Sequence, residues 1–388
     1  MNILFVCEHY APHPGGVEFL FKNLAERYVQ QGHQVTVVTR LLKGTRRKEM
    51  VNGVQLVRVP SCNSRYAFSF AAIPTVLRLA KRHDVIQTTS FNGAPPAWLA
   101  GKVRRKPVLI TVHEIWVGKW KHITGFSVLK SWFHELLERM IYFLPYDHYV
   151  CISEATKKDL LQLNIPKQKV HTIPNGCDDP TWKKSRESEK KARLLRRNLR
   201  LEKKIVFFSW GRPGLSKGFE TVLKAAPELQ KRIPSAKIIL MLNGKKQYPD
   251  KYNELAQLAH RLGKENVLLV PPTSREELKA YLLMADCAII PSLAEGFGYT
   301  TVEACLLQTP VIISNAGSLP EVVFGKHRIF QKKNVADLLK NMQLAVQGKW
   351  DITPKKTFAW ETTTRKYLDL YRETLNLTLN LTRNEARG

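Results

Sequence analysis

Pro291-Ser292-Leu293-Ala294-Glu295-Gly296-Phe297-Gly298-Tyr299-Thr300-Thr301-Val302-Glu303-Ala304 is the stretch whose reading decides the fold. The apolar run ending at Pro291 reads as a buried strand, and Tyr299 to Gln308 reads as a helix. Strand, glycine-flanked loop and helix in that order form a βα unit. Glu295 falls on the loop, and Glu303 follows it by eight residues, inside the helix. A carboxylate accepts hydrogen bonds from hydroxyl groups, so one of the two can hold a sugar and the other a ribose. Gly296 and Gly298, with Phe297 between them, present backbone N–H groups and a helix N-terminus to phosphate or sugar oxygens. A plain amphipathic helix with one solvated glutamate has no need of this order of residues.

The same alternation extends in both directions. Upstream, Ile205–Trp210, Lys237–Leu242, Val267–Val270 and Cys287–Pro291 read as strands, and Pro310–Ser314 follows. Helical stretches separate them. The first half repeats the pattern with Ile3–Cys7, Gln34–Thr39, Val54–Val59, Val85–Thr88, Val108–Val112 and His148–Ile152. These runs are β-branched and apolar on both faces, as strands of a covered parallel sheet are. The expected fold is α/β, with two Rossmann-like, doubly wound domains. The expected boundaries are 1–182 for an N-terminal domain, 183–204 for a basic linker, and 205–358 for a C-terminal domain. A C-terminal helix in 359–388 is expected to pack back on the first domain. The linker assignment rests on composition, since Lys183 to Lys204 carries eleven basic and three acidic residues.

Two further loops have residue types suited to anions. Pro14-Gly15-Gly16-Val17 follows the first strand, where two glycines let backbone amides approach a ligand at a helix start. It is not GxGxxG, which counts against a dinucleotide oxidoreductase. Gly211-Arg212-Pro213-Gly214-Leu215-Ser216-Lys217-Gly218 follows the first strand of the second domain. Arg212 and Lys217 can converge on one diphosphate, the first as a bidentate fork and the second as a point charge. Gly218 follows Lys217 where a Walker A loop has Ser or Thr, which counts against a P-loop NTPase.

The chain has 388 residues, 44% of them apolar and 24% charged, which excludes wholesale disorder. Lys and Arg number 61 against 33 Asp and Glu, a net charge of +28. That charge favours nucleic acid, an anionic membrane or an anionic substrate, and does not choose among them. No zinc-finger, RRM or helix-turn-helix signature accompanies it. Six cysteines without a CxxC pair read as free buried thiols of a reducing compartment. Met1 to Cys7 reads as a first strand rather than a signal peptide, and no apolar run approaches the roughly 20 residues of a spanning helix. The expected location is cytoplasmic. Trp116, Trp120, Phe126, Trp132 and Phe133, interleaved with Lys and Arg, point to a peripheral position on the cytoplasmic membrane face. His9 and His13 near the glycine loop read as ordinary loop histidines, with acceptor ligands as the alternative.

Glu295 to Glu303, EGFGYTTVE, resembles the E-x7-E motif of retaining GT-B glycosyltransferases, and of family 4 most of all. The resemblance runs along nearly the whole chain. It takes in Pro14-Gly15-Gly16, Thr111-Val112-His113-Glu114, Cys151-Ile152-Ser153-Glu154, Ile173-Pro174-Asn175-Gly176-Cys177-Asp178, Gly211-Arg212 with Lys217-Gly218, and Ala316-Gly317-Ser318-Leu319-Pro320-Glu321. It departs from the family at Glu114, where many relatives have Asp, and at Pro213-Gly214 inside the diphosphate loop.

The resemblance implies a GT-B arrangement, two Rossmann-like domains facing across a cleft, with 1–182 on the acceptor side and 205–358 binding the nucleotide sugar, and it implies residue roles. Arg212 and Lys217 would neutralise the donor diphosphate and stabilise the leaving group. Glu295 would contact the donor sugar hydroxyls, and Glu303 the ribose. His113 would sit near the donor sugar. With Arg212, Lys217 and Glu295 it makes up the expected catalytic set. Gly15 and Gly16 would admit the diphosphate, and Gly296, Phe297 and Gly298 would add N–H donors. Base contacts are expected from the loops around Asn243-Gly244 and Pro271 to Arg275. No cofactor and no essential metal are implied, only a nucleotide-sugar co-substrate, and the sequence has no Asp-x-Asp pair at the site. The implied reaction is retaining transfer from a nucleotide-diphosphate sugar to a lipid-linked or cell-surface polysaccharide or glycolipid precursor. The implied partners are that donor, a glycan or lipid-linked acceptor and an anionic membrane surface, without nucleic acid. The sequence does not specify an oligomeric state. A basic nucleic-acid-binding protein, suggested by the charge, and a non-catalytic GT-B scaffold are the alternatives.

Overall fold

The computed structural model describes residues 1–62, 64–178 and 180–385. It divides into two compact units. Unit 1 holds Met1–Trp120, Phe126–Gly176 and Phe358–Gly388, and unit 2 holds Lys121–Gly125 and Cys177–Thr357. Asp179 and the last three residues of the expected C-terminal helix lie outside the described residues.

The sheet of unit 1 is built from β1 (Asn2–Val6), β2 (Gln34–Arg40), β3 (Lys48–Val51), β4 (Val54–Val59), β5 (Val85–Thr89), β6 (Val108–Val112), β7 (His148–Cys151) and β8 (Val170–Thr172). Their order is β3-β4-β2-β1-β5-β6-β7-β8, parallel throughout except for the β3–β4 hairpin. Central strands such as β5 and β6 are buried at every residue, since helices cover both faces of a parallel sheet. The helix Trp360–Glu385 contributes Tyr367 and Tyr371 to the same core. The Tyr371 hydroxyl donates to Gln87 Oε1, Gln87 Nε2 donates to Thr111 Oγ1 at 2.7 Å, and Thr363 Oγ1 donates to the Pro174 carbonyl at 2.9 Å. These bonds satisfy polar groups that burial would otherwise leave costly.

The sheet of unit 2 is built from β9 (Ile205–Gly211), β10 (Ala236–Leu242), β11 (Val267–Val270), β12 (Cys287–Ile290), β13 (Val311–Ser314), β14 (Gly325–Phe330) and β15 (Asp351–Thr353). The order is β11-β10-β9-β12-β13-β14-β15, with only the β14–β15 pair antiparallel.

One expectation gains detail and one needs correction. The segment 183–204, expected as a linker, is exposed along most of its length but not irregular. It holds the helix Arg186–Asn198, capped by Ser185, whose side chain accepts from the Ser188 amide. Arg196 anchors it in unit 2, donating to the carbonyls of Met284 (2.9 Å) and Lys204 (2.6 Å) and pairing with Asp286 at 3.0 Å. The cysteines are free, but Cys62 is exposed rather than buried.

Candidate functional site

In unit 2 the chain lays β10 and β11 on one side of β9, then β12, β13 and β14 on the other. Strand order therefore reverses between β9 and β12. The loops that follow these two strands emerge side by side at the carboxyl edge, where open parallel sheets bind ligands. The loops are tied together, for the Leu293 amide donates to the Ser216 carbonyl at 2.6 Å.

Glu295 is fixed at both ends. Lys217 Nζ donates to its Oε2 at 2.7 Å, and Ser292 Oγ donates to the same oxygen at 3.0 Å. Its carbonyl accepts from the Ser318 amide at 3.1 Å and the Ser318 hydroxyl at 3.2 Å. Gly317, at φ +50°, makes that approach possible, because a Cβ there would overlap the Glu295 carbonyl oxygen. Arg212 lies in the same loop as Lys217. Among the described residues it forms no ion pair, so its guanidinium is available to an anion. The Asn243 amide donates to the Gly211 carbonyl at 2.8 Å, while Asn243 Oδ1 is a buried acceptor without a hydrogen-bond partner. Gly244 packs near Arg212, with its Cβ direction 3.7 Å from Arg212 Cγ. Gly298 caps the helix Tyr299–Leu306, which carries Glu303. Arg275 Nη2 lies 3.6 Å from Glu303 Oε1, and the Arg275 guanidinium lies over the Trp182 ring at 5.2 Å. Arg212, Lys217, Asn243, Gly244, Glu295 to Gly298 and Glu303 are thus all in unit 2. Arg275 closes the loop 271–275 in which base contacts are expected, and here it faces Glu303; Ser292 and Ser318 sit in quoted loops without an expected role, and Trp182 joins the site with no motif that marked it.

Gly15, Gly16 and His113 lie in unit 1. Its strand order reverses between β1 and β5. Glu8 follows β1 and Asn92 follows β5, and Asn92 Nδ2 donates to Glu8 Oε2 at 2.6 Å. Burial alone would raise the Glu8 carboxyl. His9 at 2.9 Å, the Arg65 charge and Asn92 outweigh it and hold the carboxyl down at about 2. Gly15 caps the helix Gly16–Gln30, and the space left by its missing side chain is taken by the Glu18 carboxylate. An acidic group in the first turn suits the helix dipole, and here it already occupies that helix start. His13 Nδ1 lies 2.7 Å from Glu18 Oε1, and the His9 and His13 rings stack at 4.0 Å. His9, His13 and Glu18 bring ligand atoms within 4.8 Å of one another, the one such cluster of metal-ligating types among the described residues. Both histidines are already engaged by carboxylates. Glu8, Glu18 and Asn92 are invisible to motif reading because only the fold gathers them.

His113 follows β6, and its Nε2 is buried without a hydrogen-bond partner. Burial pushes its imidazole down to about 4, with the Glu18 charge partly opposing. His113 is therefore neutral near pH 7. An unfolded histidine titrates near 6.5, so the folded state resists a proton that the unfolded state takes up. The stability this group contributes is complete above about pH 6.5 and is lost as pH falls toward 4, about 3 kcal/mol across the window. Relative to His113→Gln, the wild type should lose that amount between the two pH values in denaturant unfolding. Parallel pH profiles would contradict it.

Residues 14–179 match the family model described as Glycosyltransferase Family 4, and residues 191–357 match the one described as Glycosyl transferases group 1. With two Rossmann-like sheets and ligand loops at their switch points, the chain belongs to the family 4 glycosyltransferases of GT-B fold. An uncharacterised glycosyltransferase of Methanocaldococcus jannaschii is 27% identical over 346 residues, 85% of this chain and 84% of that protein. The GPI3 subunit of the phosphatidylinositol N-acetylglucosaminyltransferase of Saccharomyces cerevisiae is 23% identical over 361 residues, 89% of this chain and 75% of that one. Among solved structures, Anabaena HepE in complex with UDP and glucose superimposes with a TM-score of 0.70 across 100% of both chains at 18% identity. Among the described residues, no helix is long and apolar enough to cross a membrane.

Proposed function

We propose that this glycosyltransferase takes its sugar from a nucleotide-diphosphate sugar. It passes the sugar, with retention of anomeric configuration and without an essential metal, to a lipid-linked or cell-surface polysaccharide or glycolipid precursor. The observation that carries the proposal is the Lys217–Glu295 pair, set beside the unpaired Arg212 at the switch point of unit 2. In the transfer the acceptor oxygen bonds to the anomeric carbon, the carbon–oxygen bond to the diphosphate breaks, and the leaving phosphate takes the acceptor proton. Positive charge grows on the sugar ring and negative charge on the diphosphate. Lys217 and Arg212 are fixed cations for that negative charge, the work a metal does elsewhere. Glu295, oriented by Lys217 and Ser292, accepts from sugar hydroxyls. Glu303 accepts from the ribose, with Arg275 moderating its charge. Asn243 Oδ1, a buried acceptor with no partner, suits an N–H of the base. His113 serves as a neutral hydrogen-bonding group. The diphosphate sits on Arg212 and Lys217 in this proposal, and the Glu18 carboxylate beside Gly15 supports that choice, since two anions there would repel.

The donor class is supported by HepE, solved with UDP and glucose, and the acceptor class by the phosphatidylinositol named for GPI3. A thermal-shift panel of UDP-, GDP- and ADP-sugars, run with and without EDTA, tests the proposal. A ligand bound only by the native state at about 100 times its Kd stabilises by about 2.7 kcal/mol. Sugars of one nucleotide should raise the unfolding temperature equally under both conditions. Absence of any shift, or its loss in EDTA, would count against the donor class or the metal independence respectively.

A further inference from the structure

The helix Val128–Phe143 has its apolar side outward. Its inward face is Ser131, Glu138 and Tyr142. Leu129, Trp132, Phe133, Leu136, Met140 and Phe143 are exposed, with Leu129 at 76%, Trp132 at 60% and Phe143 at 70%. Their spacing of three and four residues places them along one stripe of the helix. The helix Arg65–Ala71 widens that stripe. Its Tyr66 hydroxyl is 3.0 Å from His134 Nε2, and Tyr66 and Phe70 are exposed as well. Of the aromatic residues that the sequence interleaves with basic ones, Trp132 and Phe133 are on the stripe. Trp120 is buried, with Trp116 and Phe126 packed against it at 5.1 and 6.4 Å.

We infer that this stripe, with Tyr66 and Phe70, docks unit 1 on an anionic lipid surface, lying in the interface without crossing it. The inference deepens the proposed function, resting on its lipid-linked acceptor. Charge selects the occupant. A second copy would bring +28 against +28 across the same face. The two carboxylates of the helix are both withdrawn from the stripe. Glu135 pairs with Arg139 at 2.9 Å, and Glu138 accepts from the Trp116 amide at 2.9 Å and Trp120 Nε1 at 2.7 Å. Lys130 is exposed beside the stripe, its ammonium 4.0 Å above the Phe126 ring, while the half-exposed Arg65 and Arg139 are paired with Glu8 and Glu135. An apolar stripe with a tryptophan, bordered by an exposed lysine and free of unpaired carboxylates, on a chain of net charge +28, has the chemistry of a helix at an anionic lipid–water boundary.

The test is cosedimentation of the full chain with vesicles of phosphatidylcholine alone and of phosphatidylcholine with phosphatidylglycerol, at about 0.1 M salt. The wild type should pellet with the anionic vesicles. Trp132→Ser/Phe133→Ser, both at exposed positions, should bind them at least about ten-fold more weakly, since each lost ring removes apolar area from the interface. The variant's thermal shift with nucleotide sugars should match the wild type, showing an intact fold and donor site. Absence of pelleting, equal pelleting of the variant, or a concentration-dependent dimer that the substitutions dissolve would each overturn the inference. A wild type that pellets but shows no nucleotide-sugar shift would contradict the proposed donor and leave the docking surface standing.

Discussion

Lys217→Ala should lower turnover by about 100- to 1000-fold while leaving the donor KM nearly unchanged. A single fixed donor aimed at developing negative charge is worth about that much in other acyl- and group-transfer sites. Lys217 has a second task, because its ammonium also holds the Glu295 carboxylate at 2.7 Å. Without it, Glu295 keeps only the Ser292 hydroxyl as a side-chain partner of its carboxylate among the described residues. An uncompensated carboxylate would then stand beside a departing diphosphate, and the two anions repel. Both effects act on the transition state more than on the bound donor, so the loss should appear in kcat. A loss confined to KM would mean that Lys217 only binds.

Gly317→Ala should cost about 100-fold in kcat/KM, although Gly317 itself carries no functional group. The new methyl group would overlap the Glu295 carbonyl oxygen, and φ at this position is +50°. Glu295 must move, its two bonds from Ser318 must lengthen, and its carboxylate must shift with the backbone. Misplacement by about 1 Å commonly costs this much. Gly348→Ala is the control. It introduces the same strain at φ +74° with nothing within 4 Å. It should lower the unfolding temperature slightly and leave kcat/KM alone. Equal kinetic losses in both variants would mean that backbone strain, not the close approach to Glu295, is responsible.

The central strands were legible because a two-sided parallel sheet writes itself as short β-branched runs, as in Val108–Val112 and Ile205–Trp210. β3, β14 and β15 were not. They lie toward the sheet margins, and runs such as Gly325-Lys326-His327-Arg328 can be polar because one side meets solvent. β8 was too short for any periodicity, with three residues. The helix Arg186–Asn198 was hidden by its charge. It buries only Ser188 and Ala192, and the bonds of Arg196 to the Met284 carbonyl and the Asp286 carboxylate, far along the chain, hold it in place. In the site, Lys217, Glu295 and Glu303 were legible because glycine-rich loops after strands constrain residue choice. Trp182, and in unit 1 Glu8, Asn92 and Glu18, take their places through tertiary contact, which leaves no local pattern.

The central claim is that the Lys217–Glu295 site of unit 2 breaks the bond between a sugar and a nucleoside diphosphate. Release of nucleoside diphosphate from the donor that gives the thermal shift, followed for the wild type and Lys217→Ala side by side, measures it directly. The account predicts steady release by the wild type and a drop of about 100-fold or more in the variant. Release at the same rate from both proteins, or from neither with any sugar of the panel, would contradict it.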